Sequence, residues 1–242
     1  MDIVLVQASR VLPDADVIAA IPSLTKWAKL VTDSYALPEC HVSFMQLQDY
    51  LAGKAGPASP NLAPLFINKH STDPGALGFH DTDNAGIPYG RTFAGDDLLD
   101  RVSPWTTMAH EVGEVLNNPF VKKIVTLRNG DLTPEEIADA VEDDSQAIII
   151  DNYAWSNFVF PNYWEDKVAY PPGTKFDYQG RLRGPAPTLT PGGYLSIYPP
   201  GGPSWTQITA MHLGTRARPS ARSARFHGSL RHRQLVAAVP AP

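Results

Sequence analysis

The sequence predicts an α+β fold, a mixed sheet with helices packed on it, and three stretches carry that reading. Residues 2–7 are rich in Ile, Val and Leu and read as a buried strand, after which the apolar spacing switches to helical. Residues 76–81 and 88–94 flank Thr82-Asp83-Asn84-Ala85-Gly86, whose Asp, Asn and Gly favour a tight reversal, so they predict a β-hairpin. Residues 103–118 carry helix signals at both ends.

The remaining elements follow in order. Val17, Ile18, Ile21, Leu24, Trp27, Ala28 and Val31 keep helical spacing, with Asp14 or Asp16 as the expected cap. Pro22 within that run predicts a break or a late start. Residues 41–44 read as a second strand, 52–64 as a loop and 65–67 as a brief strand. Ser103 is a good N-cap and Pro104 suits the first helical position. Asn118 before Pro119 predicts a left-handed stop. Thr133, Pro134 and Glu136 match a capping box, which predicts a second, acidic helix over residues 133–142. Residues 147–150 and 156–160 read as strands or extended segments, and 192–198 and 205–208 close the core.

At 242 residues the chain fits one sizeable domain, residues 1–210, followed by a tail, 211–242. The tail holds six of the 20 basic residues and no acid, so the body carries the remaining 14 against all 25 acids. Ser, Ala, Arg and Pro without periodicity predict disorder there, ahead of nucleic-acid binding. An apolar content of 43% is ordinary for a globular chain, and 23 prolines with 18 glycines predict many irregular connections. The lone Cys40 excludes an internal disulfide and a thiolate zinc cluster, so any metal must be held by His, Glu or Asp. Residues 2–6 lack a basic region before them and make a poor signal peptide. No stretch reaches the roughly 18 apolar residues of a membrane span. The expected location is cytoplasmic.

The chemistry gathers on residues 108–116. On a helix His110 and Glu114 share one face and Glu111 stands a third of a turn away. An imidazole and a carboxylate one turn apart can chelate a divalent ion, and a neighbouring carboxylate can act as general base toward a metal-activated water. The five-residue pattern alone is a weak signal, expected by chance in roughly one chain in fifty of this length; the plain alternative is an amphipathic helix whose His and Glu face solvent. A third ligand is available from Glu136, Asp139 or Glu142, acids three residues apart, although Glu136 also has the capping task open to it. His80, on the hairpin, could bind an oxyanion or serve as a further ligand; the plain alternative is a hydrogen-bonded strand histidine. Tyr153, Trp155, Tyr163 and Trp164 read as core rather than as cleft walls.

Taken together, residues 76–81, the His110-Glu111-Val112-Gly113-Glu114 run, residues 136–144 and residues 156–161 resemble the gluzincin branch of the zincin metallopeptidases. Within it they look like a little-characterised bacterial and phage family, with the similarity running from about residue 60 to 207. The resemblance implies a zincin-like mixed sheet with an active-site helix and a following glutamate helix. It implies Zn2+ held by His110, Glu114 and Glu136, with Asp139 supporting Glu136. Glu111 becomes the general base of a hydrolase acting on a peptide or protein, and the strand ending at His80 the element that receives the substrate. Asp139 or Glu142 remains open as the third ligand, because the fold decides which acid faces His110. Glu114 departs from the zincin pattern, which places a second His there. Two carboxylates and one imidazole neutralise zinc, lower its Lewis acidity and suit manganese or magnesium as well. The competing expectation is a non-catalytic metal-binding or phage-associated structural protein with the same fold.

Overall fold

The computed structural model describes residues 1–56, 61–72, 76–165, 169–202 and 204–210. The basic tail 211–242 and the middle of the loop predicted over 52–64 lie outside the described residues. The first strand, β1 (Asp2–Gln7), leads into the long helix α1 (Asp14–Ser34), then β2 (Val42–Gln46), the short α2 (Leu47–Leu51) and β3 (Leu62–Asn68). The predicted hairpin follows as β4 (Gly78–Thr82) and β5 (Pro88–Phe93), and after it come α3 (Ala94–Asp100) and α4 (Pro104–Asn117).

These five strands form one mixed sheet in the order β2-β1-β3-β5-β4. β1 pairs parallel with β2 and β3, and β3 pairs parallel with β5. Only β4 runs antiparallel, at the sheet's edge, because a tight turn joins it to β5. β1 has a strand on each side, and its residues 3–7 are all buried, as suits an apolar run in a parallel sheet. Ile3, Leu5, Ala63, Leu65 and Ile67 join Val17, Leu24, Trp27 and Val31 of α1 and Met108, Val112 and Val115 of α4 in one core cluster.

Among the described residues from 124 to 209, the strands form small antiparallel pairs. These are β6 (Ile124–Thr126) with β7 (Leu132–Pro134), β8 (Ile148–Ile150) with β9 (Tyr153–Trp155), and β10 (Tyr194–Ile197) with β11 (Thr206–Thr209). α1 anchors this half by long-range hydrogen bonds: Ser23 Oγ donates to the Ile150 carbonyl at 2.8 Å, and Trp27 Nε1 to that of Ser156 at 2.8 Å. Tyr35 does the same to the Val159 carbonyl at 2.8 Å. Trp155 and Tyr163 are fully buried, as core aromatics should be.

Three local expectations are corrected. α1 runs unbroken through Pro22, which sits on its exposed face, and Ile18, whose carbonyl loses the proline's missing N–H, is half exposed. The buried stripe of Val17, Leu24, Trp27 and Val31 outweighs the roughly 3 kcal/mol that an interior proline costs. Asp14 and Asp16 do not cap α1; Pro13 holds the cap position, and the Asp14 carboxylate accepts from Gln7 and Gln46 instead. No acidic helix spans 133–142. Thr133 lies in β7, the Glu136 N–H donates to the Pro134 carbonyl at 2.9 Å, and helical backbone is confined to a 3-10 turn, Asp139–Val141. Pairing with β6 and a bridge from Leu132 to Tyr198 claim the backbone that the capping box would need. No helix among the described residues is long and apolar enough to cross a membrane.

Two outcomes follow from the packing. A Cβ on Gly113 would stand 2.9 Å from Trp27 Cη2 and 3.2 Å from Ile137 Cδ1, where α4 meets α1. Overpacking of about 1–3 kcal/mol exceeds the ~1 kcal/mol that alanine gains in a helix, so Gly113→Ala lowers the urea midpoint of unfolding. Burial pushes the Cys40 thiol up to about 11. At pH 8 that leaves roughly one thiol in a thousand ionised, so a disulfide reagent labels the folded chain hardly at all and labels it stoichiometrically in denaturant.

Candidate metal centre

α4 begins and ends where its sequence signals place it. The Ser103 hydroxyl accepts from the Thr106 N–H at 3.4 Å and Pro104 opens the helix. At the far end Asn118 has φ −130° rather than the expected left-handed value. Its side-chain oxygen instead takes the Lys122 and Lys123 N–H groups, each at 2.9 Å. With these bounds His110 and Glu114 stand one turn apart, and His110 Nε2 lies 2.9 Å from Glu114 Oε1. Both side chains, and that of Glu111, are buried.

β4 supplies the second wall. Strand alternation turns Gly78 and His80 toward α4. His80 Nδ1 comes to 3.2 Å from Glu114 Oε2 and 3.9 Å from Glu111 Oε2. Gly78 makes room for the Glu111 carboxylate: a Cβ there would lie 2.4 Å from Glu111 Oε1.

Residues 135–141 form the third wall, held from three directions. Asn117 Nδ2 donates to the Glu135 carbonyl at 2.9 Å, and the Val159 N–H to that of Ile137 at 2.8 Å. The Ala140 carbonyl accepts from the Thr190 N–H and hydroxyl, at 3.1 and 3.2 Å. Fixed in this way, Asp139 Oδ1 lies 3.2 Å from His110 Nε2, and Glu136 Oε2 lies 3.6 Å from His80 Nε2. Tyr163 stands nearby; burial first and the Asp139 charge second push its phenol well up, and its hydroxyl donates to the Thr188 carbonyl at 2.6 Å.

Four carboxylates therefore surround two imidazoles in a space closed to solvent. The residues fit a divalent ion: His110, Glu114 and Asp139 offer one donor atom each, all within 4.8 Å of one another, and so do His80, Glu111 and Glu114. One nitrogen and two carboxylate oxygens suit zinc or a harder ion such as manganese. Of the residues singled out in the sequence, the structure brings His80, His110, Glu111, Glu114 and Glu136 into one cluster. It sets Asp139, rather than Glu136, beside His110 and Glu114, and Glu136 faces His80. Glu142 is also buried but belongs to neither donor group. Local sequence carries no signal that separates Asp139 from Glu136, because long-range hydrogen bonds orient both. Comparison of the chain with protein-family models, with curated proteins and with solved structures finds no match.

The choice of third donor is open to measurement. Asp139→Asn should weaken zinc binding, followed by competition with a chromophoric chelator, by about 100-fold or more, since it removes a charged donor beside His110. Glu136→Gln should cost less, because its carboxylate meets the other imidazole; the reverse order would make Glu136 the ligand.

Proposed function

We propose that the protein is a zinc-dependent hydrolase of zincin type, acting on a peptide or protein substrate in the cytoplasm. The observation that supports it is the convergence of His110, Glu114 and Asp139 within 4.8 Å, on a helix that also presents Glu111. Zinc held there would supply Lewis acidity and a water of lowered pKa. Glu111 is the proton acceptor, and Gly78 gives its carboxylate a place against β4 that no larger residue would leave. His80, 3.9 Å from Glu111, is placed to orient that carboxylate and to donate to negative charge developing beside it. β4 ends the sheet alongside α4, the position from which an edge strand can hold an extended peptide by main-chain hydrogen bonds.

One observation favours a second reading, a non-catalytic metal-stabilised protein such as a phage-associated structural component. Every imidazole and carboxylate of the centre is at most 2% exposed. Zinc content, and cleavage of a random peptide library, separate the two on wild type and Glu111→Gln. Hydrolysis predicts zinc in both proteins and a kcat lowered about 10²–10⁴-fold in the variant. Zinc in both with no cleavage by wild type supports the structural reading, and no zinc in wild type defeats both.

A further inference from the structure

We propose that the centre holds two divalent cations bridged by the carboxylate of Glu114. The proposal rests on the reading that His110, Glu114 and Asp139 bind an ion, and adds a second half on the opposite side of Glu114. The two oxygens of this one side chain face two different imidazoles: Oε1 lies 2.9 Å from His110 Nε2, and Oε2 lies 3.2 Å from His80 Nδ1. Each imidazole brings a further carboxylate, Asp139 for His110 and Glu111 for His80, so two complete three-donor groups share Glu114.

The far side of His80 fits this assignment. A neutral imidazole that offers its Nδ1 lone pair inward carries its proton on Nε2, and Nε2 is the atom that faces Glu136 Oε2 at 3.6 Å. Glu136 is thus a positioning residue whose negative charge, 3.6 Å from Nε2, favours a proton on that nitrogen. Charge points the same way. With both imidazoles neutral and the carboxylates ionised, Glu111, Glu114, Glu136 and Asp139 would bring four negative charges into a buried space, which two divalent ions would balance. Carboxylate-bridged ions sit about 3.5–4 Å apart, a spacing that the two oxygens of Glu114 can span. Filling the second half engages both Glu111 and His80, so the proposed hydrolysis belongs to the form with one ion and the two-ion form is inactive.

The test uses the full chain, stripped of metal and reloaded with Mn2+ or Zn2+. Two ions per chain by elemental analysis, with an exchange-coupled electron paramagnetic resonance spectrum for the Mn2+ form, are expected of wild type. His80→Ala should hold one ion and show the six-line pattern of isolated Mn2+. One ion per chain in wild type overturns the second half while leaving the proposed hydrolase centre standing, and none overturns both. Two ions without exchange coupling overturn the bridge, as does a folded His80→Ala that still binds two. If circular dichroism shows that His80→Ala does not fold, wild-type stoichiometry and spectrum decide alone.

Discussion

The constraint on which the structure turns is the burial of four carboxylates around two imidazoles. Even with both imidazoles protonated, ionised carboxylates would leave the group with excess negative charge, and taking each such ion out of water costs several kcal/mol. A chain bears that only where positive charge or bound protons are drawn into the same space. The cluster therefore demands positive charge, as protons or as a cation, and the three walls around it hold that arrangement in place.

α4 is the rigid part of the arrangement. It meets α1 at Gly113, where the indole of Trp27 comes too close for a larger residue. It also reaches the third wall through Asn117 and the Glu135 carbonyl. A donor on a helix held along its length has little freedom to relax, so the His110 to Glu114 spacing is set by the helix itself. Asp139 and Glu136 are different. They sit on irregular backbone whose shape comes from partners as distant as Val159 and Thr190, and the centre's precision depends on those partners staying in register.

That difference explains how much could be read from the sequence. β1, the hairpin of β4 and β5, and the bounds of α4 were legible because each is signalled locally: an apolar run, an Asp-Asn-Gly reversal, a Ser-Pro start and an Asn-Pro stop. His110, Glu111 and Glu114 were legible together because one helix turn carries them, whereas Glu136 entered only as one of three candidate acids and His80 as a strand histidine with a plainer reading open. Asp139's place beside His110 was not, since nothing near it in the chain distinguishes it from Glu136. The capping-box pattern at Thr133 misled for a related reason: a correct local preference was overruled by strand pairing with residues 124–126 and by the bridge to Tyr198. Pro22 shows the converse, a local prohibition overruled by a buried helix face.

The hydrogen bonds that tie α1 to the second half join residues 124–132 positions apart, from Ser23, Trp27 and Tyr35 to Ile150, Trp155, Ser156 and Val159. Loop-closure entropy must be met before such contacts reward the chain, so this topology folds slowly for its size. During synthesis, α1 leaves the ribosome long before its partners do, with Trp27 and Tyr35 unable to reach their final surroundings until residue 159 has emerged. α1 is thus a part of the nascent chain that needs protection, even though it contributes no donor to the centre.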